Sequence, residues 1–465
     1  MESREEGLLL LEPVSPTAQY MNSSVLSLAI LAVLELQVPF NHSLTLPLLK
    51  QLFLPINPRF SSIMVEDVDG KNKLWKRVEV KLEDHIHVPV FPSEMSLESY
   101  DNYLDEYITK IAAETFPQCR PLWEVHFFKY PTSQAAEHII FKIHHAIGDG
   151  YSLMGALLSC LQNAHNPSLP ITFPSLKGSN SETGGLLPRV FEFVPEVLSS
   201  VFYTAWDFSS SIFKGSGVED DRTPIRSGID GVEFRPMSVS TLTLSIEEMK
   251  LIKNKLGVTI NDVLAGTIFL GTRMYMQEMN NEKSSNQNCT ALVLLNTRLA
   301  ESYKSVQEML VEMNKSWGNQ FGFLPVSVPK SNELSKPLDF VWEAHNIIKR
   351  HRSSSAWYLT SRLWDILKKL RGPEAGARHI HSTLKNSSMA ITNMIGPIEQ
   401  MALANHPIEG IYFMVVGSPQ SLIISAMSYM GKLRIVLGAE KGYINSNKLK
   451  ACMKDAFQMI TDTVN

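Results

Sequence analysis

The sequence predicts an α/β fold with two sandwich lobes. Segments that alternate apolar and polar residues, typical of strands, are mixed with segments of helical spacing in both halves of the chain. A chain of 465 residues has room for two or three domains and can bury a substantial core. Residues 166–185, rich in proline, serine and glycine, separate the halves as a linker.

The composition is that of an ordinary globular protein. Hydrophobic residues make up 44% and charged residues 19% of the chain, which argues against a disordered polymer. A net charge of −4 argues against nucleic acid as a partner. The four cysteines are scattered without CxxC spacing and predict reduced thiols in a cytosol-facing protein. Because the acidic first residues lack the basic region of a secretory signal, we expect no cleaved peptide.

In the first half, strand and helix patterns alternate. The apolar run at residues 25–36 is shorter than the ~20 residues that a membrane-spanning helix needs, so a core strand is the better interpretation. Residues 44–53 have helical spacing, and residues 74–80 alternate as a strand. Residues 120–128 predict a second strand, in which Trp123 is buried.

The most informative stretch is HHAIGDG, residues 144–150. A strand pattern precedes it at residues 137–143, and a helical pattern follows it at residues 151–158. The motif is therefore predicted to be a strand-to-helix turn. Gly148 and Gly150 allow tight or positive-φ backbone there, so that the turn can lie close to a ligand.

The side chains of this turn suit acid–base chemistry. An imidazole titrates near neutral pH, so a histidine beside a substrate hydroxyl can accept its proton. Adjacent side chains on extended backbone point to opposite faces, so one of His144 and His145 should face the reaction while the other packs. Asp149 is close enough to brace His145, either by bonding the imidazole or by pairing with an arginine elsewhere.

A metal is the weaker interpretation of the histidines. His144 and His145 cannot both bind one ion without distorting the backbone, and no cysteine lies nearby at a ligand spacing. The spacing of His85 with His87, and of His379 with His381, could chelate an ion from a strand. A packed or solvated surface is favoured for both pairs.

An aromatic-rich segment lies between the halves, at residues 186–213. Acidic residues interrupt it, and its longest uncharged stretch, residues 197–206, has about half the length needed to cross a bilayer. Three interpretations stay open: an amphipathic helix lying on a membrane surface, an ordinary packed helix, or a true span. The surface helix is favoured.

The second half opens with a strand at residues 239–244. A capping box then starts a helix that ends at Gly257, and Thr259 caps the next helix. Asn261 and Asp262 fall in its first turn, where they either cap the helix or contribute to a site.

Further along, a buried strand at residues 291–295 leads to Asn296 and Arg298. Arg298 is the candidate partner of Asp149. Residues 338–352 and 356–370 are predicted to be helices; three consecutive strand signals and a closing helix with one apolar stripe follow.

Together these motifs resemble the plant wax ester synthase/diacylglycerol acyltransferase family. HHAIGDG matches the HHxxxDG signature of acyl-coenzyme A-dependent O-acyltransferases. The resemblance covers nearly the whole chain through five further motifs: EPVSP at residues 12–16, PLWE at 121–124, TINDV at 259–263, LNTR at 295–298 and NMIGP at 393–397.

The resemblance implies two chloramphenicol acetyltransferase-like sandwich lobes with an active-site tunnel between them. Residues 1–165 would form the first lobe with the HHAIGDG motif. Residues 166–233 would be the linker that contains the possible membrane segment, and residues 234–465 would form the second lobe.

The implied reaction is direct acyl transfer without a covalent enzyme intermediate. The resemblance assigns the catalytic positions to His145, His144, Asp149 and Gly150, with His145 as the general base on the hydroxyl. The amide of Gly150 is the first candidate to stabilise the oxyanion.

Other positions would play supporting roles. The side chains of Asn296 and Asn393 are further oxyanion candidates, and Asn261 and Asp262 would contribute to the site or its support. Trp123 and Arg298 would be structural.

The expected substrates are a long-chain acyl-coenzyme A and either a fatty alcohol or diacylglycerol. Neither a metal nor a cofactor is implied, since acyl-coenzyme A is a substrate. The expected location is a membrane surface of the endoplasmic reticulum, with the plasma membrane as a second location and the catalytic lobes facing the cytosol.

Alternatives remain at this stage. An acyltransferase of specialised metabolism would share the histidine but carries a DFGWG-like motif late in the chain, which the nearest text, residues 320–323, does not match. A condensation domain would normally sit beside a carrier protein. The chain could also transfer acyl groups to another alcohol, or bind lipid without turnover.

Overall fold

The computed structural model describes residues 12–68, 73–174, 219–280, 287–296, 305–315, 317–330, 336–353 and 373–464. Four predictions concern residues outside these ranges: the aromatic segment at 186–213, the helix at 356–370, Arg298, and residues 175–185 of the linker. For Asn296 the backbone is described but the side chain is not.

Helices and strands alternate along both halves, as predicted. The described helices are α1 Pro16–Met21, α2 Thr45–Leu48, α3 Leu97–Ala113, α4 Gly150–Ser159, α5 Ile246–Leu256, α6 Ile260–Asn280, α7 Val306–Lys315, α8 Pro337–Ser353, α9 Pro373–Lys385 and α10 Ser446–Val464.

The described strands form three sheets. The strands are β1 Glu12–Pro13, β2 Ala29–Leu36, β3 Ser62–Glu66, β4 Lys73–Arg77, β5 Ile86–His87, β6 Trp123–Phe128, β7 Glu137–His144, β8 Gln162–Asn163, β9 Met237–Ser245, β10 Thr290–Asn296, β11 Phe321–Ser327, β12 Met389–Ile395, β13 Met401–Leu403, β14 His406–Val416, β15 Leu422–Tyr429 and β16 Lys432–Glu440.

The first lobe is built on a seven-stranded sheet in the order β5-β6-β7-β2-β14-β13-β8. β2 and β7 pair antiparallel, with Ala29 opposite His144. All eight residues of β7 are buried, as expected for a strand covered on both faces. The apolar run at residues 25–36 is therefore a core strand, as predicted.

The second lobe is built on a six-stranded sheet in the order β11-β10-β12-β15-β16-β9. Buried residues of α6, α8 and α10 pack on it to form a separate apolar core. The local signals act as the sequence predicts: Ser245 caps α5, and Gly257 ends it in the left-handed conformation at φ 68°.

Two strands of the second half complete the sheet of the first lobe. β14 pairs with β2 along the whole length of β2, and β13 pairs with β8. The proposed boundaries at residues 165 and 233 therefore divide the sequence, while the sheet itself crosses them. The second half of the sequence thus contributes two strands to the sheet of the first lobe.

A buried ion pair also joins the lobes. Arg434 Nη2 of β16 lies 2.7 Å from Glu35 Oε2 of β2. A Cβ atom at Gly410 would lie 1.9 Å from the same oxygen, so the glycine makes room for the pair. Burial raises the pKa of Glu35, and the charge of Arg434 opposes that rise.

Among the described residues, no helix is both long enough and apolar enough to cross a bilayer.

Candidate active site

The HHAIGDG motif forms the turn between β7 and α4, as the sequence predicts. β7 ends at His144, and Asp149 is the N-cap of α4. The amide of His145 donates to the carbonyl of Leu28 at 2.8 Å, so this residue is still attached to the sheet. The turn therefore presents the second histidine from a rigid position.

The imidazole of His145 is held by Asn319, which lies just before β11 in the second lobe. Asn319 donates from Nδ2 to the His145 carbonyl at 2.9 Å, and its Oδ1 lies 2.8 Å from His145 Nδ1. An amide whose nitrogen faces a carbonyl presents its oxygen to the ring, so Nδ1 carries the hydrogen and donates. The neutral ring thus keeps its lone pair on Nε2, the nitrogen that can accept a proton.

The surroundings of His145 favour this neutral form. The residue is only 3% exposed, and the ring of Phe321 meets it edge-on with the centroids 5.3 Å apart. Burial lowers the pKa of His145, while the charge of Asp149 and the hydrogen bond to Asn319 oppose that change. At neutral pH the ring is therefore unprotonated and able to act as a base.

His144 points to the opposite face of the sheet and is packed there. Its Nδ1 accepts from the amide of Ala146 at 3.1 Å, so Nε2 carries the hydrogen and donates to Ser27 Oγ at 3.0 Å. The ring of Phe116 lies edge-on beside it. Burial lowers the pKa of His144 to about 3, with a smaller effect from His145. Both ring nitrogens are occupied, which matches the prediction that one histidine packs.

Asp149 binds two backbone amides. Its Oδ1 accepts from Ser152 at 3.0 Å, which caps α4, and its Oδ2 accepts from Gln320 at 2.8 Å. Nδ1 of His145 is held by Asn319 rather than by Asp149, so the aspartate acts on the ring through its charge. The predicted pairing with Arg298 lies outside the described residues.

Both lobes hold the turn from its outer side. The carbonyl of Ile147 accepts from Arg59 Nη1 at 3.2 Å and from Trp317 Nε1 at 2.8 Å. Ser152 Oγ donates to the carbonyl of Gly318 at 3.2 Å. Residues 317–320 of the second lobe therefore fix both the backbone of the turn and the ring of its second histidine.

The two glycines of the motif differ in how closely they are packed. The sequence allowed either a tight turn or a positive-φ backbone at these glycines. Neither glycine has a positive φ, so the tight turn is the conformation that applies. A Cβ atom at Gly148 would lie 3.0 Å from the Cβ of Ser152. At Gly150 it would lie 3.6 Å from Met394 Sδ, in an apolar cavity between the turn and β12.

The two asparagines predicted in the second lobe bind each other. Asn393 Nδ2 donates to Asn261 Oδ1 at 2.9 Å. Asn393 shares a face of β12 with Ile391, which belongs to the second core, whereas Met394 points to the other face, toward Gly150. The structure thus brings Asn261 and Asn393 together without showing a contact to His145.

Asp262 is a helix cap. Its Oδ2 accepts from the amide of Thr259 at 2.7 Å, and Thr259 Oγ1 accepts from the amide of Asp262 at 3.2 Å, which completes a capping box. The same carboxylate oxygen lies 2.9 Å from His345 Nδ1. The capping interpretation is the one that these contacts support.

Trp123 is fully buried, as predicted. Its Nε1 donates to the carbonyl of Phe60 at 2.8 Å. The ring stacks on His85 at 4.2 Å, and His85 Nδ1 lies 2.7 Å from the Trp123 carbonyl. These contacts are structural.

Within the described ranges, metal-ligating atoms approach one another at His87, Glu124 and His126, all within 4.8 Å. Glu124 already pairs with Arg120 at 2.6 Å and with Lys142 at 3.8 Å. These two cations neutralise the carboxylate and would repel a divalent ion. The cluster is best described as a charge network on the sheet.

The other histidine pair is not on a strand. His379 and His381 lie on α9, where residues two apart do not face each other, so the disfavoured interpretation, chelation from a strand, does not apply to them. His381 Nε2 lies 2.9 Å from Glu233 Oε1.

Sequence reasoning missed Asn319 and Arg59. Asn319 is 174 positions from His145, and Arg59 is 88 positions from Ile147. Neither belongs to a motif singled out above. A single sequence holds no signal that connects residues so far apart.

Comparisons with known proteins show which family and which fold the chain resembles. The model of the wax ester synthase/diacylglycerol acyltransferase catalytic domain matches residues 54–264, and that of the WS/DGAT C-terminal domain matches residues 317–461. Wax ester synthase/diacylglycerol acyltransferase 4 of Arabidopsis thaliana is 29% identical, covering 92% of this chain and 85% of its own. Number 11 of the same plant is 27% identical, covering 97% and 95%.

Solved structures share the fold. A wax ester synthase/diacylglycerol acyltransferase from Marinobacter aquaeolei VT8 superposes with a TM-score of 0.61 at 13% identity, covering 97% of this chain and 99% of its own. The starter condensation domain of rhizomide synthetase RzmA, solved as a mutant, gives 0.54 at 13% identity, covering 98% and 94%. Because the two family models between them match most of the sequence, the chain belongs to the wax ester synthase/diacylglycerol acyltransferase family.

Proposed function

We propose that the chain transfers a long-chain acyl group from acyl-coenzyme A to the hydroxyl of a fatty alcohol, of diacylglycerol, or of both. The product is a wax ester in the first case and triacylglycerol in the second. Support comes from the family of acyltransferases to which the chain belongs and from its similarity to the Arabidopsis wax ester synthase/diacylglycerol acyltransferases.

One observation carries the proposed mechanism: the two hydrogen bonds between Asn319 and His145. They favour the ring tautomer with its lone pair on Nε2 and hold the ring in one orientation. A base with this geometry needs no further residue to prepare it. General base catalysis of this kind is typically worth ~100- to ~10,000-fold in rate.

The reaction balances with this one base. His145 Nε2 takes the proton from the alcohol as its oxygen attacks the thioester carbonyl, and a tetrahedral oxyanion forms. When the carbon–sulfur bond breaks, the imidazolium returns the proton to the departing coenzyme A sulfur. No acyl-enzyme, metal or cofactor takes part, because a thioester is already an activated acyl donor.

The amide of Gly150 is our first candidate to stabilise the oxyanion. It lies in the first turn of α4, where backbone N–H groups lack partners within the helix and attract negative charge. Asn296 and Asn393 remain weaker candidates. The bond between Asn393 and Asn261 makes Asn393 less available.

We further propose that the enzyme works at a membrane surface of the endoplasmic reticulum, with the plasma membrane as a second location and the lobes facing the cytosol. The reason is chemical: both acceptors are insoluble in water, so the enzyme has to meet them in lipid. The aromatic segment at residues 186–213 is the candidate contact.

The test is product formation from labelled palmitoyl-coenzyme A offered hexadecanol and diacylglycerol in parallel. Wild type should form wax ester, triacylglycerol or both, and His145→Ala should lose at least ~100-fold in rate. His165→Ala, a change at an exposed histidine, is the matched control and should be unaffected. Absence of product from wild type with both acceptors would refute the proposal.

A further inference from the structure

Two apolar cavities lie on the sheet face of the first lobe, next to the HHAIGDG turn. The inner cavity touches Gly150 of the motif and is closed by α4, β14 and β12. Its walls include the side chains of Ile30, Ile143, Leu153, Met394 and Phe413. No charged residue lines it, so an apolar occupant fits its chemistry.

The outer cavity lies further from the turn, under the leucine-rich residues 45–53. Its walls include Leu48, Leu52, Val125, Phe127 and Ile139. It too has no charged lining residue. Its rim reaches Leu52, which is 45% exposed, so this cavity borders the surface of the lobe.

Phe53 and Phe141 line both cavities. Their ring centroids are 5.7 Å apart, so the pair forms the partition between the inner and the outer space. Phe53 is held in place by Phe60 at 4.4 Å and by Trp123 at 4.9 Å. The partition therefore rests on fixed aromatic packing.

The two cavities lie in series. Ile143, Phe141 and Ile139 alternate along β7 on one face, with the first lining the inner cavity and the last lining the outer one. Six residues of strand separate Ile139 from His145, which corresponds to ~20 Å. That distance is comparable with the length of a long acyl chain.

We infer that the two cavities form one channel for the acyl chain of the donor, and that the Phe53–Phe141 partition sets the accepted chain length. The inference rests on the proposed function. The acyl chain is favoured over the alkyl chain of the acceptor because the inner cavity begins at Gly150. If the Gly150 amide binds the thioester oxygen, the chain attached to the same carbon enters this cavity.

The partition should make kcat/KM for long-chain donors depend on the ring of Phe53. The inner cavity has a volume of only about 20 Å³, so any acyl chain has to move side chains of its walls, and a chain that reaches the outer space has in addition to displace Phe53 or Phe141. Removing the Phe53 ring joins the two spaces. Each methylene that gains apolar surroundings should then raise kcat/KM by about 4-fold, until the channel is full.

The experiment measures kcat/KM for saturated donors from octanoyl- to eicosanoyl-coenzyme A with hexadecanol as acceptor. The variants are Phe53→Ala and the milder Phe53→Leu, in case the first does not fold. Phe269→Leu, at a buried phenylalanine in the core of the second lobe, is the matched control. A second series varies the alcohol from octanol to eicosanol with palmitoyl-coenzyme A held constant.

We expect the optimal chain length of the donor to increase in the Phe53 variants only, while the optimal chain length of the alcohol stays the same. A shift in the alcohol series instead would assign the channel to the acceptor and overturn the inference. Unchanged optima in both series would overturn it as well.

A binding measurement separates this inference from the proposed function. Calorimetry with thioether analogues of the same acyl-coenzyme A series reports chain-length preference without turnover. If wild type forms no product, the proposed function fails. The channel assignment then stands or falls by whether Phe53→Leu changes the chain-length dependence of the dissociation constant.

Discussion

His144 and His145 are adjacent and chemically identical, yet the structure gives them opposite surroundings. Both nitrogens of His144 are satisfied by its own lobe, through Ser27 and Ala146. Among the described residues, His145 is held at one nitrogen only, by Asn319 of the other lobe, which leaves the second nitrogen as a proton acceptor. The role of a histidine therefore follows from which group holds each ring nitrogen, more than from burial, since both are almost fully buried.

The largest effect is expected when each of the two histidines is replaced in turn. His145→Ala should lower kcat/KM by at least ~100-fold, because the base is removed. His144→Gln should keep most of the activity, because a glutamine amide can also accept one hydrogen bond and donate another. Steady-state kinetics on both variants check this. Equal losses at the two positions would contradict the division of roles.

The second prediction concerns the group that distinguishes the two rings. Asn319→Ala should lower kcat by roughly 10- to 100-fold with little change in KM, as expected for the loss of a hydrogen bond that orients a functional histidine. Because Asn319 raises the pKa of His145, its removal should also move the acidic limb of the pH–rate profile to lower pH.

Asn102→Ala, at an exposed asparagine of α3, is the control for Asn319→Ala and should leave both the rate and the profile unchanged. A rate loss in Asn319→Ala with no movement of the acidic limb would indicate that Asn319 supports the fold without tuning the ring.

The third prediction concerns the effect of the buried His144 on the stability of the fold. Burial holds the pKa of His144 at about 3, far below its value in the unfolded chain. Between pH ~6.5 and the folded-state pKa, His144 is protonated in the unfolded chain but not in the folded protein. The free energy of unfolding therefore falls as the pH falls through this range. One such group changes the free energy of unfolding by up to ~1.4 kcal/mol per pH unit.

Urea unfolding across this pH range measures the slope. His144→Gln should flatten it, while His138, whose pKa burial also lowers to about 3, continues to contribute in both proteins. An unchanged slope in His144→Gln would show that the folded protein accommodates the charged ring.

The smallest effect is expected at Asp149. Asp149→Asn keeps an acceptor for Ser152 but loses the charge beside His145 and the second acceptor for Gln320. We expect a loss of ~1–2 kcal/mol in stability and a lower His145 pKa, since the charge of Asp149 raises it. Thermal unfolding and the pH–rate profile test the two parts separately. A raised pKa would contradict the sign of this interaction.

Much of this arrangement was predictable from local sequence. The strand-to-helix turn at HHAIGDG, the helix start capped by Ser245 and the helix end at Gly257 all depend on neighbouring residues, and all three are found. The opposite orientation of the two histidine rings followed from strand geometry alone.

What could not be predicted depends on distant parts of the chain. The ring of His145 is oriented from residue 319, and the turn is held from residue 59. These contacts arise only when the lobes meet, and no local pattern encodes them. Of the two interactions expected of Asp149, the bond to the imidazole is not observed, because Asn319 holds Nδ1 of His145 and two backbone amides bind the carboxylate; the pairing with Arg298 lies outside the described residues.

The strands that cross between the lobes also bear on how the chain can be divided. A fragment that ends before residue 401 would lack β13 and β14, and the edge of β2 would then expose a row of unpaired backbone groups. Such an edge recruits other strands, so the first half made alone should swap strands with a second copy or aggregate. The first half is therefore not expected to fold as a self-sufficient protein, and a split version of the chain should need co-expression of both pieces.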